Sequence, residues 1–283
     1  MVTLTPLTLD EALVHLAERP VRIFAGGTDV LAAAGERPMI GPLLDVTRLE
    51  GLARVERTPD GGWRIGAAVT WSTLAREPLP AAFDALKCAA RQLGSVQIQN
   101  TATLVGNLCN ASPAADGVPA LLVLDAAVEV ARVGARRVIP LADLILSPRR
   151  TCLVSGEMVS AILVPPQPPS AASAFQKLGA RRHLVISIAS VAALVALDAT
   201  GRIIAARVAV GACSPAPARL PTLEAALLGE RVEAIGGLVA DEHLAALSPI
   251  DDVRAPAAYR RDAVRVLVAR ALAEAVAPRE AAA

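Results

Sequence analysis

This chain has to build its interior almost without rings. Its 283 residues include three Phe, two Trp and one Tyr, although 54% are hydrophobic. Ala, Val, Leu and Ile must therefore fill the core, which suits strands and helices packed in layers. The shortage of rings also argues against a platform that stacks nucleic-acid bases. Lys plus Arg number 28 against 27 Asp plus Glu, a balance of +1, so no net field draws the chain to nucleic acid or anionic lipid. The length admits one large domain or two.

The most apolar segment, 184–197, lies between Arg182 and Asp198 and is too short for a membrane span. No basic-then-apolar leader precedes Thr8-Leu9-Asp10-Glu11, and a cytoplasmic location is expected. Cys88, Cys109, Cys152 and Cys213 are far apart, with no Cys-x-x-Cys pair, and are read as buried reduced thiols. The three histidines, His15, His183 and His243, are equally scattered, so no metal site is expected.

One stretch stands out against this background. From Gln92 to Ala115 there is no charge, yet ten of the 24 residues are Gln, Asn, Ser or Thr. Side-chain amides and hydroxyls in such density satisfy a backbone that wraps a polar ligand away from water, and the stretch reads as a ligand loop. A second candidate lies upstream, where the strand 21–24 runs into Ala25-Gly26-Gly27-Thr28-Asp29 and a short helix at 30–34. Glycines between strand and helix let backbone N–H groups approach an anion. Each segment alone is also compatible with a purely geometric role.

The remaining chain supplies a scaffold. Thr8 and Glu11 form a capping box for a helix with Leu9, Ala12, Leu13, Leu16 and Ala17 on one face, stopped by Pro20. Strands are expected at 43–46, at 52–56 and 63–67 as a hairpin, at 127–132 and 136–139 around Gly134, and at 158–164. A helix is expected at 81–93. Pro165-Pro166-Gln167-Pro168-Pro169 reads as a stiff connection between domains at 1–166 and 167–283. Beyond it come antiparallel strands at 174–178, 185–197 and 203–210, then helices at 222–228, 232–247 and 256–276. Asp251-Asp252 reads as a capping pair ahead of Pro256, and no catalytic acid–base or nucleophilic constellation is visible. Any chemistry must come from a bound cofactor.

Read together, Ala25–Asp29 and Thr103-Leu104-Val105-Gly106-Asn107 followed by Asp116 are more specific than either alone. With Gly94–Asn100, Asn110–Asp116, Phe175–Arg182, Ile250–Arg254 and Tyr259-Arg260-Arg261, they make the chain resemble the medium, FAD-binding subunits of the molybdenum hydroxylases, the xanthine dehydrogenase and carbon monoxide dehydrogenase superfamily. The resemblance implies an α+β fold: a two-part PCMH-type FAD-binding domain, then a C-terminal antiparallel sheet with helices of the CO dehydrogenase flavoprotein type. It implies that Ile23, Phe24, Ala25, Gly26, Gly27, Thr28, Asp29 and Val30 form the first FAD segment and Thr103, Leu104, Val105, Gly106 and Asn107 the second. It further implies that Asp116 contacts the flavin half, and that Leu93, Val159 and Lys177 approach the cofactor. No residue of this chain is assigned catalysis of the hydroxylation itself.

The implied partners are a large subunit with the molybdenum cofactor and a small subunit with 2Fe-2S clusters, with a dimer of heterotrimers as one arrangement. Electrons would pass through FAD to NAD, a quinone, oxygen or another acceptor. The chain departs from the family pattern at Val96 and Gln99, where Pro and Arg are common, and at Val105, where a glycine is usual. Valine does not easily take positive φ, so residue 105 is expected to be extended, or the segment to sit farther from the phosphates. Two rival readings are a self-contained flavin oxidase and an assembly module that no longer holds FAD.

Overall fold

In the computed structural model, residues 2–36 and 41–277 are described. The first helix, Leu9–Glu18, begins as its sequence dictates. Thr8 Oγ accepts the Glu11 N–H at 3.3 Å, while the Glu11 carboxylate accepts the N–H groups of Thr8 and Leu7 at 3.4 and 3.0 Å. Ala12 and Leu13 are buried, but Ala17 is exposed, so the apolar face is narrower than its spacing suggests.

Two compact units form. The first consists of Met1–Glu77, Leu93–Ser112 and Asp125–Pro166. It holds a three-stranded parallel sheet, in the order Thr3–Leu4, Leu43–Asp45, Arg22–Phe24. It also holds a five-stranded antiparallel sheet, in the order Val55–Arg57, Trp63–Gly66, Met158–Val164, Ala127–Arg132, Ala135–Pro140. Leu44, Ile65, Trp71, Leu74, Leu104 and Leu108 are fully buried within this unit. Two of the six aromatic residues of the chain therefore go where the aliphatic core needs most volume, Trp71 here and Phe83 in the other unit.

The second unit consists of Pro78–Gln92, Pro113–Leu124 and Gln167–Ala283. Its antiparallel sheet runs Ala172–Leu178, Ala189–Leu197, Ile203–Gly211, Ala218–Arg219. Val191, Ala193 and Val195 cluster with Val264, Val268 and Leu272 of the long helix Ala257–Ala275. The helix Asp84–Gln92 is stitched to the first strand of this sheet by Ser173, whose Oγ accepts the Ala85 N–H at 2.8 Å and donates to Ala82 O at 2.7 Å. Residues 189–196 are all buried, which explains why the sequence there shows no polar alternation.

Several expectations are revised, among them the strand expected at 52–56, which is found at Val55–Arg57. Strand pairing starts at Ala189 rather than 185, because 179–187 makes an excursion closed by the Ile188 N–H to Leu178 O bond at 2.7 Å. The helix expected at 232–247 is broken into Val232–Ala234, Ile235–Leu238 and Asp241–Leu244. The adjacent Gly236-Gly237 pair lowers helix propensity enough to permit the breaks. Of the cysteines, only Cys213 is buried; Cys88 and Cys152 are half-buried and Cys109 is exposed.

Candidate cofactor site

Both candidate segments lie in the first unit, and they meet. The strand Arg22–Phe24 delivers the chain to Gly26 and Gly27. Gly27 is left-handed at φ +69 and caps the helix Thr28–Ala34 with backbone alone. Gly26 has no positive φ, and its need for glycine is steric. A Cβ there would sit 1.9 Å from Thr101 O and 2.8 Å from Ala102 N. The first segment thus lies backbone to backbone on the turn that introduces the second.

That second segment is helical, not a loop. Ser95 Oγ accepts the Ile98 N–H and opens the helix Val96–Thr101; Thr103 Oγ1 accepts the Gly106 N–H at 3.0 Å and opens Leu104–Cys109. The hydroxyls that suggested a wrapped ligand are spent partly on these caps. Val105 corrects the expectation of an extended residue: it lies inside the second helix without positive φ, and its side chain is buried. A helical φ is open to valine, so the missing glycine imposes no strain there.

The strand-like segment before Trp71 braces the junction. Leu104 N–H donates to Val69 O and Trp71 N–H to Ala102 O, both at 3.2 Å, with Thr70 bridging Thr103. Sequence reasoning passed over Thr70 and Trp71; the signal available was Thr70, an N-cap ahead of the short helix Trp71–Arg76. Two polar atoms at this junction, the Trp71 indole N–H and the Asn107 side-chain oxygen, are buried without a partner among the described residues. Val159 is buried in the strand Met158–Val164, against which the Leu104–Cys109 helix packs. Leu93 is half-buried, and its carbonyl accepts from Gln99 Nε2 at 2.9 Å.

Asp116 and Lys177 belong to the second unit and are brought together there. Lys177 Nζ donates to Asp116 Oδ2 at 2.7 Å and Ser187 Oγ to Asp116 Oδ1 at 2.6 Å, in an almost completely buried setting. One carboxylate therefore holds the 179–187 excursion at both ends, through Lys177 just before it and Ser187 at its close. A second buried charge, Arg260, donates to Ile188 O at 2.5 Å, to Ala212 O at 3.1 Å and to Asp252 Oδ1 at 2.6 Å. Burial works against the Asp252 charge, but the Arg254 N–H and the Arg260 and Arg254 guanidinium groups outweigh it and hold the carboxyl at about 2. Asp251 Oδ1 accepts the Ala257 N–H at 2.6 Å, the capping role its position suggests.

This architecture has relatives. A family described as the FAD binding domain in molybdopterin dehydrogenase matches residues 2–167, and the CO dehydrogenase flavoprotein C-terminal domain matches 173–275. The chain belongs to this family of FAD-binding medium subunits of molybdenum hydroxylases, and is thus an oxidoreductase subunit. It is 31% identical over 279 residues to the putative xanthine dehydrogenase FAD-binding subunit of Escherichia coli K12, covering 95% of this chain and 94% of that one. It is 31% identical over 277 residues to the nicotine 6-hydroxylase medium subunit of Paenarthrobacter nicotinovorans, covering 96% and 95%. Among solved structures, its fold matches a chain of the Hydrogenophaga pseudoflava carbon monoxide dehydrogenase that lacks the Mo-pyranopterin moiety, with a TM-score of 0.89, 24% identity and coverage of 97% and 96%.

The residues present fit FAD. The junction offers neutral polar groups, the backbone that opens the helices Thr28–Ala34 and Leu104–Cys109 and the Asn107 side-chain oxygen, buried with no partner among the described residues, whereas the space beside Gly26 and Gly27 is already taken by Thr101 O and the Phe24 ring. Such surfaces hold a dinucleotide by fixed neutral dipoles rather than by one counter-charge.

Proposed function

We propose that this chain is the electron-transfer subunit of a molybdenum-containing hydroxylase or dehydrogenase, placed between the 2Fe-2S clusters of a partner and an external acceptor. FAD, when bound, supplies the exchange between one-electron and two-electron chemistry. The chain's own residues bind and orient. Ile23–Val30 and Thr103–Asn107 hold the pyrophosphate from two sides, and Thr103 fixes the helix that carries Asn107. Leu93 and Val159 supply apolar contact, and Asp116 and Lys177 supply polar contacts, the roles the family resemblance gives them. The domain assignment, 1–166 for FAD binding and 167–283 for the C-terminal domain, belongs to the same proposal, as does a cytoplasmic location.

The observation that carries this reading is the contact of Gly26 with the Thr101–Ala102 backbone, which joins two segments 75 residues apart in sequence. Among the described residues no helix is long and apolar enough to cross a membrane. The partners are a large molybdenum-cofactor subunit and a small 2Fe-2S subunit. Co-expression with such subunits, followed by affinity purification through this chain, tests the assembly. The expected product is one complex containing flavin, molybdenum and iron; recovery of the chain alone, with folded partners in the flow-through, would contradict it.

A further inference from the structure

The helix Leu104–Cys109 has six residues, too few to hold a direction by itself. Thr103 fixes its start. Its end is fixed from outside, by the tip of the hairpin Ile145–Ser147 and Arg150–Thr151. At that tip Arg149 donates from Nη1 to Asn110 O at 3.3 Å and to the Asn110 side-chain oxygen, while its own N–H donates to Ala111 O at 2.8 Å. Asn110 is the C-cap of the helix. Ala111 and Arg149 both hold left-handed backbones, at φ +47 and +63, though neither is glycine. Such conformations persist only where neighbouring contacts over-determine them.

We propose that Arg149 is a positioning residue for FAD: by gripping Asn110 and Ala111 it sets the direction of the Leu104–Cys109 helix and so the placement of Thr103–Asn107. This rests on the reading that the segment holds FAD. Arg149 acts on the helix end opposite Thr103, through the helix and not on the cofactor. The carbonyl of Asn110 lies past the last turn, where a guanidinium favours the exposed acceptors of a helix C-terminus.

Glycine at 149 separates positioning from folding. It adopts positive φ without side-chain strain and keeps the N–H bond to Ala111, removing the guanidinium together with its aliphatic stem. In Arg149→Gly the full chain should unfold near the wild-type temperature while its FAD affinity falls about tenfold, with Arg149→Lys recovering part of the loss. A second readout needs no cofactor. Cys109, the last residue of the helix, has open surface, yet the protein packed around it pushes its thiol up to about 12. Its alkylation in the FAD-free chain, mapped by peptide mass, should be faster in Arg149→Gly than in the wild type, because a helix end released at Asn110 and Ala111 loosens the protein packed around the thiol.

A folded Arg149→Gly chain with wild-type FAD affinity and a wild-type Cys109 rate would overturn the proposal. If the wild-type chain takes up no FAD, the cofactor reading fails instead. The Cys109 rate would then still decide whether Arg149 holds the helix: a faster rate supports the grip, and an unchanged rate removes it.

Discussion

At the scale of single residues, Gly26 carries the most weight. Its backbone conformation is open to any residue, and only the approach of Thr101 O forbids a side chain. Gly26→Ala must therefore push the two segments apart, at a cost of about 1–3 kcal/mol. The expected outcome is a lowered melting temperature together with loss of bound flavin, checked by thermal denaturation and by absorbance of the purified chain. Asp116 is the corresponding residue in the second unit. Asp116→Asn leaves the Lys177 ammonium buried without its counter-charge, a change expected to cost about 3 kcal/mol or more, measurable by denaturant unfolding. The sequence showed these residues as family positions. It could not show that Asp116 grips Lys177 and Ser187 on either side of an excursion, because that pairing depends on how the strands Ala172–Leu178 and Ala189–Leu197 turn into each other.

At the scale of elements, two six-residue helices replace what composition presented as a loop. Each is held by a hydroxyl at its start, so Thr103→Ala should cost about 1 kcal/mol and weaken FAD retention in step. Titrating the variant with FAD beside a melting curve checks both. Gly106 is the neighbouring test. A Cβ there would meet Thr103 Oγ1 at 2.8 Å, so Gly106→Val disturbs the cap as well as the approach of a ligand, and stability should fall along with flavin content. Strands were the more legible elements, because alternation and the turn at 58–62 set the pairing with Trp63–Gly66, although the strand expected at 52–56 is found at Val55–Arg57. Helix ends were less so. Periodicity carried the expected helix straight through 232–247, where the chain turns extended at Val239 just after the short helical piece that holds Gly236-Gly237. The short helices at Val96 and Leu104 were illegible for a related reason: six residues span too few turns to show a periodic face.

At the scale of the whole molecule, the segment order conceals who packs with whom. The helices Asp84–Gln92 and Gly117–Leu122 precede the proline-rich connection, yet they lie in the same unit as the sheet that follows it. Nothing in their composition marks that, because an apolar face, or an apolar helix such as Gly117–Leu122, states that it needs a partner but not which one. Acid should expose a shared dependence on carboxylates. The folded Asp252 carboxyl titrates at about 2, below its ordinary 3.8, and Glu129 and Glu157 are also lowered: burial opposes the Glu129 charge, which the Ser160 hydroxyl and Arg64 favour, while Arg137 holds Glu157. A depressed folded value gives stability that is complete above the unfolded value and lost as pH falls through the folded one. The midpoint of thermal unfolding should thus hold down to about pH 5 and drop between about pH 4 and 2, and Asp252→Asn should flatten part of that drop.

Whether this chain holds FAD between Ala25–Asp29 and Thr103–Asn107 is decided by one titration. FAD is added to the purified, flavin-stripped chain while flavin fluorescence and visible absorbance are followed, with Gly26→Ala run alongside. The expected result is saturable uptake of FAD by the wild type and little or none by the folded variant. A colourless wild-type chain that refuses added FAD, or a Gly26→Ala chain that binds it equally well, would contradict it.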